Sequence, residues 1–109
     1  MPWLVAEDRV VASLEVADTR RARRRGLLGR DGIEGALLLT PARSVHTVRM
    51  RFAIDVAHVD VDMVVRSVVT MPPGRLGRWD PRCRHVIEAE AGSLRRWGIE
   101  PGVLIEIKS

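Results

Sequence analysis

The sequence predicts a mainly β domain, α+β at most: a compact single domain, barrel-like or sandwich-like, of six to seven short strands with two short helices. Three observations lead there. Short apolar runs alternate with polar residues at period two, as strands with one buried face do. Turn-forming residues separate those runs, among them Pro72-Pro73-Gly74 and Pro101-Gly102. Only two stretches carry helix start and stop signals, and both are short.

Taken in order, residues 3–6 and 9–16 form two strands joined by a tight turn at Glu7-Asp8. In the second, Val10, Ala12, Leu14 and Val16 alternate with Val11, Ser13 and Glu15. Asp18 or Thr19 caps a helix running to about Arg25, and Gly26 ends it. Residues 35–40 read as a buried strand stopped by Pro41. Residues 51–61 and 63–71 form a hairpin around Asp62, without the favoured Asp-Gly turn. An irregular loop over 72–81 carries Arg75, Arg78 and Trp79. Residues 84–90 make another strand. Ser93 caps one helical turn, 94–97, closed by Gly98, and Pro101-Gly102 turns into a last strand over 103–108.

A chain of 109 residues fits one domain and buries a core without disulfide or metal staples. Apolar content of 46% with 29% charged residues argues against disorder. No apolar run approaches the roughly 20 residues of a membrane span. The N-terminus lacks a basic start followed by a long apolar region, so a cytoplasmic location is expected. The single cysteine, Cys83, cannot form an intrachain disulfide. The net charge of +4 invites a nucleic-acid reading, yet 17 of the 18 basic residues are arginine. That skew fits a GC-rich coding sequence better than selection for phosphate contacts, and nucleic acid is not an expected partner.

The densest polar cluster lies at residues 44–60. If 45–50 is extended, His46 and Val48 share one face while Thr47 and Arg49 share the other. Asp55 falls on an otherwise apolar face, where a carboxylate needs a cationic or amide partner. It either fixes a bend through backbone N–H groups or contacts a ligand. His58, Asp60 and Asp62 recur at i, i+2 and i+4, a weak metal pattern against which a packed core histidine competes. Cys83-Arg84-His85 places a thiol near an imidazole, with Arg82 and Arg84 able to lower the thiol pKa. The chain has no Gly-x-Ser-x-Gly elbow and no phosphate-cradling glycine loop. No enzyme class, metal or cofactor is indicated.

Several segments together look familiar: Val16-Ala-Asp-Thr, Arg23-Arg-Arg-Gly-Leu-Leu-Gly-Arg30, Gly35-Ala-Leu-Leu-Leu, the run from Val45 to Asp60, Val86-Ile-Glu-Ala-Glu-Ala-Gly92 and Gly98-Ile-Glu-Pro-Gly102. In order and spacing they resemble the bacterial and archaeal domain of unknown function 192 over nearly the whole chain. The resemblance implies a compact β-rich fold with short helices and no established reaction. It implies recurrent polar positions at Arg23, Arg25, Arg30, Asp55, Asp60 and Glu88. His46-Thr47 and Arg49-Met50-Arg51 replace a Met-Lys-Asn-Thr-like stretch. Ala22 stands for a usual glutamate, Ala53 for a proline, His58 for an apolar aromatic, Met63 for a turn glycine and Val103 for an aspartate.

The leading functional expectation is a small non-catalytic binding module. Its ligand-binding residues would be Arg23, Arg25, Arg30, His46, Thr47, Arg49, Met50, Asp55 and Glu88. The ligand would be a small anionic or polyhydroxyl molecule, or a partner peptide. One alternative is an enzyme with His46 as general base, oriented by Asp55 or Glu88. Another is a protein–protein adaptor using Trp79 and the arginine-rich loop.

Overall fold

The computed structural model describes residues 2–109. Seven strands and two helices follow in the order β1 (Trp3–Ala6), β2 (Arg9–Ala17), α1 (Arg20–Arg25), β3 (Ala36–Leu39), β4 (Ile54–Val59), β5 (Val65–Met71), β6 (His85–Glu90), α2 (Ser93–Arg96) and β7 (Ile105–Lys108). The strands form one sheet in the order β5-β4-β6-β3-β2-β1-β7. Only β2 and β3 run parallel, and α1 lies in the connection between them. The nine-residue β2 pairs with β1 through its first half and with β3 through its second, so it joins two parts of the sheet.

The sheet does not close into a barrel, although its edges meet at one corner. Val65 N–H donates to Val103 O at 2.9 Å, Ile105 N–H to Met63 O at 2.9 Å and Gly102 N–H to Val65 O at 2.8 Å. These bonds stitch the start of β5 to the approach of β7. A sandwich-like arrangement fits the two apolar layers that result. On one face Leu4, Leu14, Leu38, Val59, Ile87 and Ile105 pack under Leu94 and Ile99 of the α2 region. On the other, Leu37, Leu39, Ile54, Val56 and Val86 pack against Leu27, Ile33 and Met50. The strands β3 and β4 are accordingly buried at every position, because both of their faces are covered.

Local chemistry explains most elements. Glu7 and Asp8 take φ of 49° and 66°, the pair of positive values a tight hairpin turn with matching twist requires. Thr19 caps α1, its hydroxyl accepting from Ala22 N–H at 3.1 Å. Gly26 ends that helix, donating its N–H to Ala22 O at φ 49°.

Two sequence expectations need correction. Residues 45–50 are not a strand: apart from one bridge between His46 and Leu76, they turn back, with Met50 N–H donating to Thr47 O and Arg49 at φ 66°. The alternation of faces expected there does not arise. Ser93 does not cap α2 but belongs to it; Gly92 is the N-cap, in the left-handed region, and makes no side-chain cap bond. The capping acceptor comes instead from across the sheet, as the carboxylate of Asp55.

Candidate functional site

A cavity of about 180 Å³ opens beside α1, lined by Arg23, Arg24, Arg25, Gly26, Leu27, Leu28, Leu39, Ser44, Val45, His46, Met50 and Glu88. Its floor is set by strand register. Glu88 on β6 stands opposite Leu37 of β3 and Val56 of β4, so all three point to the same face. That face belongs to the apolar layer under α1. Glu88 is only 4% exposed, and among the described residues no hydrogen bond or ion pair engages its carboxylate. Removal from water disfavours the charged form, and burial alone pushes this carboxyl up to about 7.

Gly26 lets the backbone approach this floor. A Cβ at that position would sit 3.5 Å from Glu88 Oε1, in a backbone conformation that L side chains rarely adopt. The mouth is cationic. Arg23, Arg24 and Arg25 occupy the last turn of α1, where positive charge complements the helix dipole. Arg23 donates to the carbonyls of Asp18 at 2.9 Å and Thr40 at 3.2 Å, contacts that leave its charge unneutralised. None of the three pairs with a carboxylate among the described residues.

The structure therefore brings together Arg23, Arg25, His46, Met50 and Glu88 from the expected set. It does not bring in the other four. Arg30 points to β2 and holds Glu15 in a two-pronged pair at 2.8 and 2.9 Å. That hydrogen bond holds the Glu15 carboxyl below its usual range and raises Arg30. Arg49 is exposed on the turn and does not line the cavity. Asp55 pairs with Ala89, one residue along from Glu88, so it faces the opposite layer. There it accepts from Thr70 Oγ1 at 2.7 Å, Gly92 N–H at 2.9 Å and Leu94 N–H at 3.1 Å.

Thr47 lies fully buried behind the cavity wall. Its hydroxyl donates to Pro72 O at 2.6 Å and accepts from Arg75 N–H at 2.8 Å, tying the 44–50 segment to the 72–77 loop. Thr47→Val, which keeps the shape, is expected to cost about 2 kcal/mol in urea denaturation, because a buried N–H and C=O lose their partner. It should also loosen the segment that carries His46 and Met50.

The remaining constellations separate. His58 is buried, and its Nε2 lies 3.1 Å from Arg78 O. Asp60 instead closes the β4–β5 turn, accepting from Asp62 and Val64 N–H. No metal-holding group of three such side chains occurs among the described residues. Cys83 is buried against the carbonyls of Ala42 and His85, and burial pushes its thiol up rather than activating it. His46 is exposed and engages no carboxylate among the described residues, and Asp55 is on the other side of the sheet. Nothing supports the general-base arrangement. Trp79 is 64% exposed and does not cap the core. Among the described residues, no helix is long and apolar enough to cross a membrane.

Sequence reading missed Arg24 and the apolar lining of Leu27, Leu28 and Leu39. The run Arg-Arg-Arg-Gly-Leu-Leu contained the signal: a charged helix end, a forced reversal at Gly26 and two leucines turned inward.

Comparison with known proteins gives the same fold and little chemistry. The family model DUF192, described as Uncharacterized ACR, matches residues 4–107. A crystal structure of a protein of unknown function from Novosphingobium aromaticivorans is similar at 20% identity and a TM-score of 0.76, over 96% of this chain and 82% of that one. A protein from Sinorhizobium meliloti, provisionally described as a transcription regulator, is similar at 19% identity and a TM-score of 0.77, over 96% and 90% of the two chains. No curated protein matches the chain.

Proposed function

We propose a function on the premise that the chain belongs to the DUF192 family, which carries no assigned reaction: the protein is a small non-catalytic module that binds a small anionic or polyhydroxyl ligand in the cavity beside α1. The observation that carries this reading is Glu88. A carboxylate on a side chain only 4% exposed, with no protein partner among the described residues and opening onto a cavity, costs stability when ionised and supports a site at that floor. The unpaired arginines at the mouth supply the complement for an anion.

A thermal-shift panel of small organic acids, polyols and saccharides tests it. A ligand at about 100 times its Kd adds about 2.7 kcal/mol, a shift of several degrees in a domain this size. Replacing Arg24 and Arg25 together by alanine is expected to abolish that shift with little change in the unliganded Tm, since both are exposed. Trp79→Ala should leave it intact. Absence of any ligand-dependent shift, or a shift that survives loss of both arginines and depends on Trp79, overturns the reading.

A further inference from the structure

If the cavity holds a ligand as proposed above, its charges constrain what that ligand carries. The volume of about 180 Å³ is close to the roughly 150 Å³ of an apolar cavity that accepts benzene. A molecule of about six to eight non-hydrogen atoms fits. Its outer end lies beside the exposed Arg24 and Arg25, and its inner end lies beside Glu88, flanked by Leu27, Leu39 and Met50. The titratable groups facing Glu88 are Arg23, Arg24 and Arg25 from α1 and His46 from the 44–50 segment; β3 and β4 present only apolar neighbours, Leu37, Leu39 and Val56. Among the described residues no guanidinium makes a hydrogen bond or ion pair with the Glu88 carboxyl, and burial pushes that carboxyl up to about 7.

We propose that the ligand is a small hydroxy acid bound as its anion, with its carboxylate at the arginine mouth and an inner oxygen accepting a hydrogen bond from a protonated Glu88. An ionised Glu88 would face both an apolar wall and a like charge on the ligand, which favours the neutral acid further. Binding above neutral pH is therefore accompanied by uptake of one proton. A ligand with an inner ammonium group would do the reverse, pairing with ionised Glu88 and releasing a proton.

Isothermal titration with glycerate, β-alanine and glycerol, in buffers of different ionisation enthalpy at pH 6 and pH 8, separates these cases. The expected result is that glycerate binds best and about tenfold more weakly at pH 8 than at pH 6. Proton uptake should approach one at pH 8 and fall towards zero at pH 6. His46→Asn lowers the affinity if the imidazole touches the ligand, but the ratio of affinities between pH 6 and pH 8 and the proton count should persist, which removes the imidazole as their source. Glu88→Gln, which retains a donor, should bind with no pH dependence and no uptake. The wild-type proton count stands even where that variant folds poorly. Proton release, absence of linkage, or tighter binding of β-alanine or glycerol overturns the hydroxy-acid assignment while leaving a binding module in place. Failure of all three probes overturns the assignment too; failure of the whole thermal-shift panel overturns the module itself.

Discussion

Asp55→Ala is expected to destabilise the domain by about 3–5 kcal/mol, a large share of the roughly 5–15 kcal/mol available to a domain. Three donors converge on this one carboxylate: the Thr70 hydroxyl and the N–H groups of Gly92 and Leu94. Each buried donor left without its acceptor costs about 1–3 kcal/mol, offset in part because the carboxyl group's own burial cost disappears with it. The damage extends beyond the polar contacts. Leu94 is fully buried, Ile99 nearly so, and the turn that Asp55 anchors seats both on the apolar layer. Asp55→Asn is expected to cost far less, about 1–2 kcal/mol, because the amide oxygen still accepts from the two N–H groups. Chemical denaturation of both variants, followed by tryptophan fluorescence and circular dichroism, measures the difference. Equal losses would mean that the charge, rather than the acceptor geometry, holds α2.

Glu88 makes the stability depend on pH. Its folded-state carboxyl titrates at about 7 against 4.5 for the free side chain, so the folded protein binds the extra proton. The stabilisation is complete below about pH 4.5, is lost as pH rises towards 7 and changes no further above it. At about 1.36 kcal/mol per pH unit the loss reaches about 3 kcal/mol. Glu88→Gln removes that slope. The difference in Tm between variant and parent is expected to move in the variant's favour by roughly 10 °C between pH 4.5 and pH 8. Comparing the pair at each pH cancels the other titrating groups, including His85, which burial holds below its usual value. A difference independent of pH would show that Glu88 reaches solvent or an unrecognised partner.

Hydrogen-bond partners distinguish two buried carboxylates that look alike in sequence, since Asp55 has three donors and Glu88 has none among the described residues. Both sit in strands flanked by valine, isoleucine and alanine. Period-two alternation was enough to recognise the strands and to mark Asp55 as needing a partner. It does not tell which strand lies opposite, and so it could not place Asp55 and Glu88 on opposite faces. That follows from the register of β4 against β6, a non-local property. The same limit applies to α1. Its cap at Thr19 and its stop at Gly26 are local chemistry and were legible, whereas the approach of Gly26 to Glu88 joins residues far apart in the chain. Residues 45–50 misled for a different reason. Val-His-Thr-Val alternates as a strand does, but Thr47 gives its hydroxyl to the 72–77 loop and the backbone turns around that contact.

The pairing of β1 with β7 sets Trp3 opposite Lys108. During synthesis β1 can form its hairpin with β2 early, since only the two residues Glu7 and Asp8 separate them. Its other edge stays open until β7, separated from it by every other strand in chain order, has left the ribosome. The three backbone bonds that join the approach of β7 to the start of β5 must wait as well. Completing the sheet is thus a late step governed by non-local contacts, of the kind that places β-rich domains in the millisecond-to-second range of folding. Until it happens, β1 offers an unpaired edge to any neighbouring chain.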